Sequence, residues 1–230
     1  MTPQVAILAG GSGVRLRPIT LTTPKPMAPV AGRPFLDHLF RLLVRQQLTR
    51  VVLLTGYLGE QIEAHFGSGA GAGVSLTYVR EAEPRGTAGA VRDARHVLDE
   101  TFLLLNGDTF LNCDFARLHH RLFAAGTEAV MAVYDNAEPV APANVSVTTD
   151  GRVAEYSREE RTRMTHVDAG AYALRRSILD RLPVSGPSSL EYDLFPALAR
   201  AGVLAAFPVS SRFYDIGTLQ QLAEAERVMA

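Results

Sequence analysis

VAILAGGSGVRLRPITLTTPKPM, Val5 to Met27, opens as a short apolar run and turns abruptly into glycines. A buried strand feeding a loop reads this way. The glycines let the backbone approach a ligand closely, and exposed N–H groups in such a loop bind anions. Two familiar loops are excluded. A dinucleotide fingerprint needs a small residue where Leu16 stands, and a P-loop needs Gly-Lys-Ser/Thr after its glycines. What remains is Gly10, Gly11 and Gly13, then Arg15, Pro18 and Thr20, then Lys25 between Pro24 and Pro26. Arg15 can fork two hydrogen bonds onto a phosphate, while Lys25 supplies a compact charge whose loop the prolines restrict.

Working outward, a helix follows the prolines. From Phe35 to Leu48 the residues Leu36, Leu39, Phe40, Leu43 and Val44 recur at helical spacing and predict one apolar face. Strands are expected at 51–55, 74–79 and 102–106, with helices at about 60–66 and 88–98 between them. This alternation predicts an α/β fold with a mostly parallel central sheet covered by helices, and ligands at the carboxyl ends of its strands. Later expectations are a helix near 115–125, strands near 128–134, 145–149, 153–156 and 169–174, helices near 175–182 and 190–201, strands near 204–208 and 212–215, and a terminal helix from Leu219. A single domain is expected over 1–230, with 1–115 mainly nucleotide-binding and 116–230 mainly a lid and acceptor region.

The chain has 230 residues, of which 47% are hydrophobic, and a formal charge of -1, so it offers no basic excess for nucleic acid or a membrane surface. One cysteine, Cys113, cannot form an internal disulfide, and no Cys/His cluster has zinc-site spacing. With no signal-like start and no apolar run approaching about 18 residues, a soluble cytoplasmic protein is expected. Oligomeric state is open, a homo-oligomer included.

The stretches GGSGVRLRPIT and PKP, followed in order by EPRGTAGA, LNGDTF, VDAGAY and FYDIGT, resemble the sugar-1-phosphate nucleotidyltransferases over nearly the whole chain. The resemblance implies a Rossmann-like nucleotidyltransferase fold and transfer of a nucleotidyl group from an NTP to a sugar 1-phosphate, with release of pyrophosphate. It implies that Arg15 and Lys25 serve catalysis and that Leu8, Ala9, Gly10, Gly11, Gly13, Glu81, Gly86 and Thr87 hold the nucleotide. Asp108 and Asp215 are implied as ligands of Mg²⁺, an ion suited by one or two carboxylates plus phosphate oxygens.

No general base is needed, because the attacking phosphate oxygen is already ionised at neutral pH. The six histidines, His38, His65, His96, His119, His120 and His166, read as surface or packing residues. Glu81 can accept from guanine N1–H and its amino group, which favours GTP, although the single N3–H of uracil or thymine also fits. The wording is most similar to the D-glycero-α-D-manno-heptose 1-phosphate guanylyltransferases. Mannose 1-phosphate guanylyltransferases and a uridylyltransferase for N-acetylmuramic acid 1-phosphate compete, as does a non-enzymatic nucleotide-sugar-binding subunit. For the acceptor, the resemblance implies Asn106, Gly107, Asn144, Arg158, Asp168, Gly170 and Glu191. Relatives commonly carry glycine at the position of Asn144. They also often carry Glu-Lys where EYSREERTR places Arg158 and Glu159, so either Arg158, Arg161 or Arg163 takes over the lysine's duty or the acceptor site is altered or impaired.

Overall fold

The computed structural model describes residues 2–123, 126–136, 139–159, 162 and 164–229. Arg161 and Arg163, named above as alternatives to Arg158, lie outside the described residues.

The opening run forms β1 (Gln4–Ala9), and its alternating side chains decide the layering. Val5, Ile7 and Ala9 enter one apolar cluster while Ala6 enters the other, with Leu8 packed against it. A strand that is apolar on both faces must be covered on both. The small hairpin β2 (Pro29–Val30) and β3 (Arg33–Pro34) leads into α1 (Phe35–Arg45). Helix α1 buries Phe35, Leu36, Leu39, Phe40, Leu42 and Leu43; Val44, expected on that face, is 36% exposed. Then come β4 (Arg50–Thr55), α2 (Gly59–Phe66), β5 (Ser75–Arg80), α3 (Gly86–Asp93) and β6 (Thr101–Asn106).

β5, β4, β1 and β6 are neighbours in that order, all parallel. The second half continues the sheet. After β7 (Thr109–Phe110) and α4 (Phe115–Arg121) come β8 (Ala129–Asp135), β9 (Val145–Val147), β10 (Val153–Tyr156) and β11 (His166–Arg175). β11 runs antiparallel to β6 on one side and to β8 on the other. The hairpin β9–β10 joins the start of β11 through His166 and Val145. α5 (Phe195–Arg200) and β12 (Leu204–Val209), parallel to β8, precede β13 (Tyr214–Asp215) and α6 (Leu219–Met229). One nine-stranded sheet thus draws strands from both halves of the chain.

Several boundaries differ from expectation. α3 begins at Gly86 and ends at Asp93 rather than spanning 88–98, because the Ala88 and Gly89 N–H groups donate to the Ser188 carbonyl, which fixes its start. The helix expected at 190–201 is a π-helical turn, Leu190–Leu194, followed by the short α5. The run is unbroken from Leu190 to Arg200, and Pro196 lacks the N–H that a regular α-helix would use there. The helix near 175–182 is a 3₁₀ segment, Arg176–Arg181, and the strand at 212–215 shrinks to the two residues of β13. Among the described residues no helix is long and apolar enough to cross a membrane.

Candidate active site

The carboxyl ends of β1, β4, β5 and β6 open into a cavity of about 1120 Å³. Its floor is Leu8 to Gly11 beside Asn106, Gly107 and Asp108. The Gly107 N–H donates to the Leu8 carbonyl at 2.9 Å, so the ends of β1 and β6 are tied together beneath the ligand space.

Gly13 does not line this cavity; it shapes the loop that does. It has φ +60, and a Cβ there would lie 2.8 Å from Thr20 Cγ2 and 3.1 Å from Lys25 Cβ. The buried Thr20 hydroxyl donates to the Gly13 carbonyl at 2.8 Å. Arg15 and Lys25 are carried on the first and third of three short 3₁₀ turns, Val14–Leu16 and Lys25–Met27, the first anchored by fully buried Leu16. Arg15 is exposed and lines the cavity. Lys25 is not the exposed cation that a proline-flanked loop suggests: it is 9% exposed and its Nζ is paired with Asp108 Oδ2. Gly13, with no side chain to intervene, lets its stem pack inward.

Asp108 and Asp215 are brought together by the ladder between β7 and β13. Asp215 stands opposite Thr109, and the Ile216 N–H donates to the Asp108 carbonyl at 3.0 Å. Burial pushes the Asp108 carboxyl up, but the Lys25 ammonium, with hydrogen bonds from Thr109 and the backbone, outweighs it and holds the group below its ordinary value. Asp215 goes the other way. Burial raises it, the Asp108 charge adds to the rise, and the Gly217 N–H, Lys25 and Arg15 only partly oppose it. Two neighbouring carboxylates, one of them destabilised as an anion by burial and by the charge of the other, suit a divalent cation that completes its shell with phosphate and water. Among the described residues no third carboxylate, histidine or cysteine joins them as a metal cluster.

Glu81 sits at the end of β5, against the backbone of Gly10 and Gly56. A Cβ on either glycine would meet its Oε1, at 2.9 and 2.5 Å. Its Oε2 accepts the Arg85 N–H at 2.9 Å, which ties down the turn leading to α3. Gly86 starts α3 with φ +71, where a Cβ would run into the Ser188 carbonyl oxygen. Next to it, the Thr87 hydroxyl donates to Glu191 Oε2 at 2.7 Å and accepts the Leu190 N–H at 2.8 Å. Gly86, Thr87, Glu191 and Arg158 all line the cavity. Burial works against the Arg158 charge, yet the neighbouring Tyr156, Asp168 and Glu191 raise its pKa above the ordinary arginine value.

Three acceptor candidates stand apart from the cavity lining. Asn144 is buried, and its Oδ1 accepts the Asp168 N–H at 2.8 Å, a bond that joins the start of β9 to β11. Gly170 sits in the bulge where β11 shifts register, with Asn106 Nδ2 3.0 Å from the place of its missing Cβ. Asp168 accepts hydrogen bonds from Tyr156, Tyr172 and the Gly170 N–H. Sequence reading missed these tyrosines, and also Tyr57, Glu60 and Arg80 along the wall near Glu81. Buried phenols need a hydrogen-bond partner, so tyrosines among apolar strand residues were the available signal.

The chain matches the family described as nucleotidyl transferase over residues 4–230. It belongs to the nucleotidyl transferase family. The chain is 31% identical over 225 residues to the D-glycero-α-D-manno-heptose 1-phosphate guanylyltransferase of Aneurinibacillus thermoaerophilus, covering 97% of each chain. It is 34% identical over 221 residues to the mannose-1-phosphate guanylyltransferase of Mycobacterium tuberculosis, covering 94% of this chain and 61% of that protein. The chain thus spans about three-fifths of the length of this mannose-1-phosphate relative, at 61%. Among solved structures, HddC from Yersinia pseudotuberculosis complexed with GMP-PN matches with a TM-score of 0.85 and 26% identity, over 100% of both chains.

Proposed function

We propose that this chain transfers GMP from GTP to a sugar 1-phosphate, D-glycero-α-D-manno-heptose 1-phosphate, releasing pyrophosphate. The observation that carries this reading is the meeting, in one cavity, of Lys25, Arg15 and Asp108, with Asp215 opposite and Glu81 on the adjoining wall. The heptose assignment is supported by the relative that this chain covers almost end to end.

In this reading the base lies against the Gly10 and Gly56 backbone, where Glu81 accepts from guanine donors, and Leu8 to Gly11 pass under the nucleotide. Gly86 and Thr87 close that side. Arg15 holds the departing pyrophosphate, and Lys25 neutralises phosphate charge during transfer. The main obstacle to reaction is repulsion between anions, so fixed cations and in-line positioning supply most of the catalysis. Asp108 and Asp215 would hold Mg²⁺, which when bound supplies further charge neutralisation on the phosphates. Asn106, Gly107, Arg158 and Glu191 face the acceptor. Residues 1–115 serve mainly the nucleotide and 116–230 mainly the acceptor.

Incubation with each NTP and a panel of sugar 1-phosphates, with pyrophosphate as the readout, tests the assignment. Release with GTP and the heptose 1-phosphate is expected. Release with GTP and mannose 1-phosphate alone moves the acceptor to the class named for the Mycobacterium tuberculosis relative. Release with UTP alone overturns the base assignment.

A further inference from the structure

Glu191 lines the cavity from the π-helical turn Leu190–Leu194, and one of its two carboxylate oxygens is already taken. Oε2 accepts from the Thr87 hydroxyl at 2.7 Å and from the Ser189 hydroxyl at 2.8 Å. Backbone amides fix each hydroxyl in turn. The Thr87 oxygen accepts the Leu190 N–H at 2.8 Å, and the Ser189 oxygen accepts the Glu191 and Tyr192 N–H groups, both at 3.1 Å. A backbone N–H only donates, so each hydroxyl keeps its single proton for the carboxylate, and both protons meet on the same oxygen.

Capping explains only half of this arrangement. A serine ahead of a helical turn accepts the first free amides, as Ser189 does. Thr87 has no such duty, for it belongs to α3 and stands 104 residues from Glu191 in sequence. Gly86 lets the turn before it lie against the Ser188 carbonyl, which accepts the Ala88 and Gly89 N–H groups at 2.9 and 3.1 Å. The Ser188 N–H donates to the Arg85 carbonyl at 2.8 Å, so the two segments are tied on both sides of Thr87. With two hydroxyls on Oε2, the carboxylate cannot exchange its oxygens without breaking both bonds. Oε1 makes no hydrogen bond among the described residues and stays available on a residue that lines the cavity.

We propose that Thr87 and Ser189 are positioning residues that hold the Glu191 carboxylate by Oε2 and so present Oε1 to a hydroxyl of the acceptor sugar. This rests on the reading of Glu191 as acceptor-facing given under Proposed function. It assigns the Thr87 hydroxyl to the acceptor, although Thr87 stands in the turn implied for the nucleotide. A carboxylate that is already fixed loses less freedom when a sugar binds, so the benefit is read in acceptor affinity.

The test uses the full chain with Thr87→Val, Thr87→Ser, Ser189→Ala, Glu191→Ala and the double variants with Glu191→Ala. Both KM values are measured, together with NMR of the glutamate side-chain carboxylate carbons, the Glu191 signal being assigned by its loss in Glu191→Ala. Thr87→Val keeps the branched shape and is expected to raise the acceptor KM about three- to tenfold, the size of one hydrogen bond, with the GTP KM changed by less than about twofold. Thr87→Ser keeps the hydroxyl and should restore the wild-type acceptor KM. Ser189→Ala should act in the same direction as Thr87→Val. In the Glu191→Ala background neither change adds anything, as coupled residues require. With no substrate present, the Glu191 signal should move in Thr87→Val and return in Thr87→Ser. Equal rises in both KM values, an effect that persists without Glu191, a serine that does not rescue, or an unmoved signal overturns the proposal. If the wild type turns over no sugar 1-phosphate, the functional reading falls, and the NMR comparison still decides whether Thr87 holds the carboxylate. Should Thr87→Val fail to fold, Ser189→Ala carries the same measurements through the other hydroxyl.

Discussion

Replacing Lys25 with methionine keeps the stem and removes the charge that faces Asp108. The lysine side chain is 11% exposed and the aspartate side chain 34%. Breaking a fully buried pair by removing one partner costs about 3–5 kcal/mol, whereas an exposed pair is worth about 0–1 kcal/mol. With Asp108 a third exposed, the loss should fall between these limits, at about 1–2 kcal/mol. For a chain of this size that lowers Tm by about 2–8 °C. Turnover should fall much further, by about 10²–10³-fold, because an electrostatic group aimed at the reacting phosphates is gone.

The pH dependence separates the two effects. The folded Asp108 titrates below its unfolded value of about 3.9, so its contribution is fully present above that value and is lost as pH falls through the lower folded value. The stability gap between wild type and Lys25→Met, measured by urea unfolding, should therefore be full at pH 7 and shrink on strong acidification. In an Asp108→Asn background most of the gap should already be absent at pH 7. A gap that persists in that background, or turnover that falls only with the folded fraction, refutes the reasoning.

Gly86→Ala places a methyl group against the Ser188 carbonyl at φ +71, and a loss of about 2–4 kcal/mol is expected from combined backbone strain and overpacking; an unchanged urea midpoint would show that the turn adapts freely. Glu81→Gln should lower kcat/KM for GTP by about 1–3 kcal/mol in activation free energy and change the UTP value little, measured by pyrophosphate release; equal losses with both nucleotides would remove Glu81 from base selection. Asp215→Asn relieves the repulsion with Asp108 and removes a charged ligand. Its metal titration should shift to higher Mg²⁺ while the fold is retained, and an unshifted titration excludes Asp215 as a ligand.

How far the sequence could be read depended on whether the deciding contact was local. The strand at Val5–Ala9, its glycine loop and the face of α1 follow from spacing within a few residues. The burial of Lys25 did not: a lysine between prolines reads as solvated, and only Asp108, 83 residues away, makes its inward position favourable. The π-helical turn that leads into α5 was locally encoded, since Pro196 has no N–H for a regular α-helical bond there. The Asp168 carboxylate was the opposite case. Motif order placed it at the acceptor, but its direction was set by a bulge and by two phenols, one of them from a different strand.

The two halves of the chain are joined through the cavity wall as well as through the sheet. The Ser188 carbonyl accepts the first free amides of α3, and Thr87 is bonded both to the Leu190 N–H and to the Glu191 carboxylate. A nucleotide that orders the turn from Glu81 to Thr87 therefore acts on the same backbone that presents Glu191. Arg158 lies within electrostatic reach of Glu191, Tyr156 and Asp168. Charge on the proposed nucleotide side is concentrated where Lys25, Arg15 and the two aspartates converge. On the proposed acceptor side one arginine feels the charge of two carboxylates, Asp168 and Glu191, which offsets its own pull on an anion at a distance.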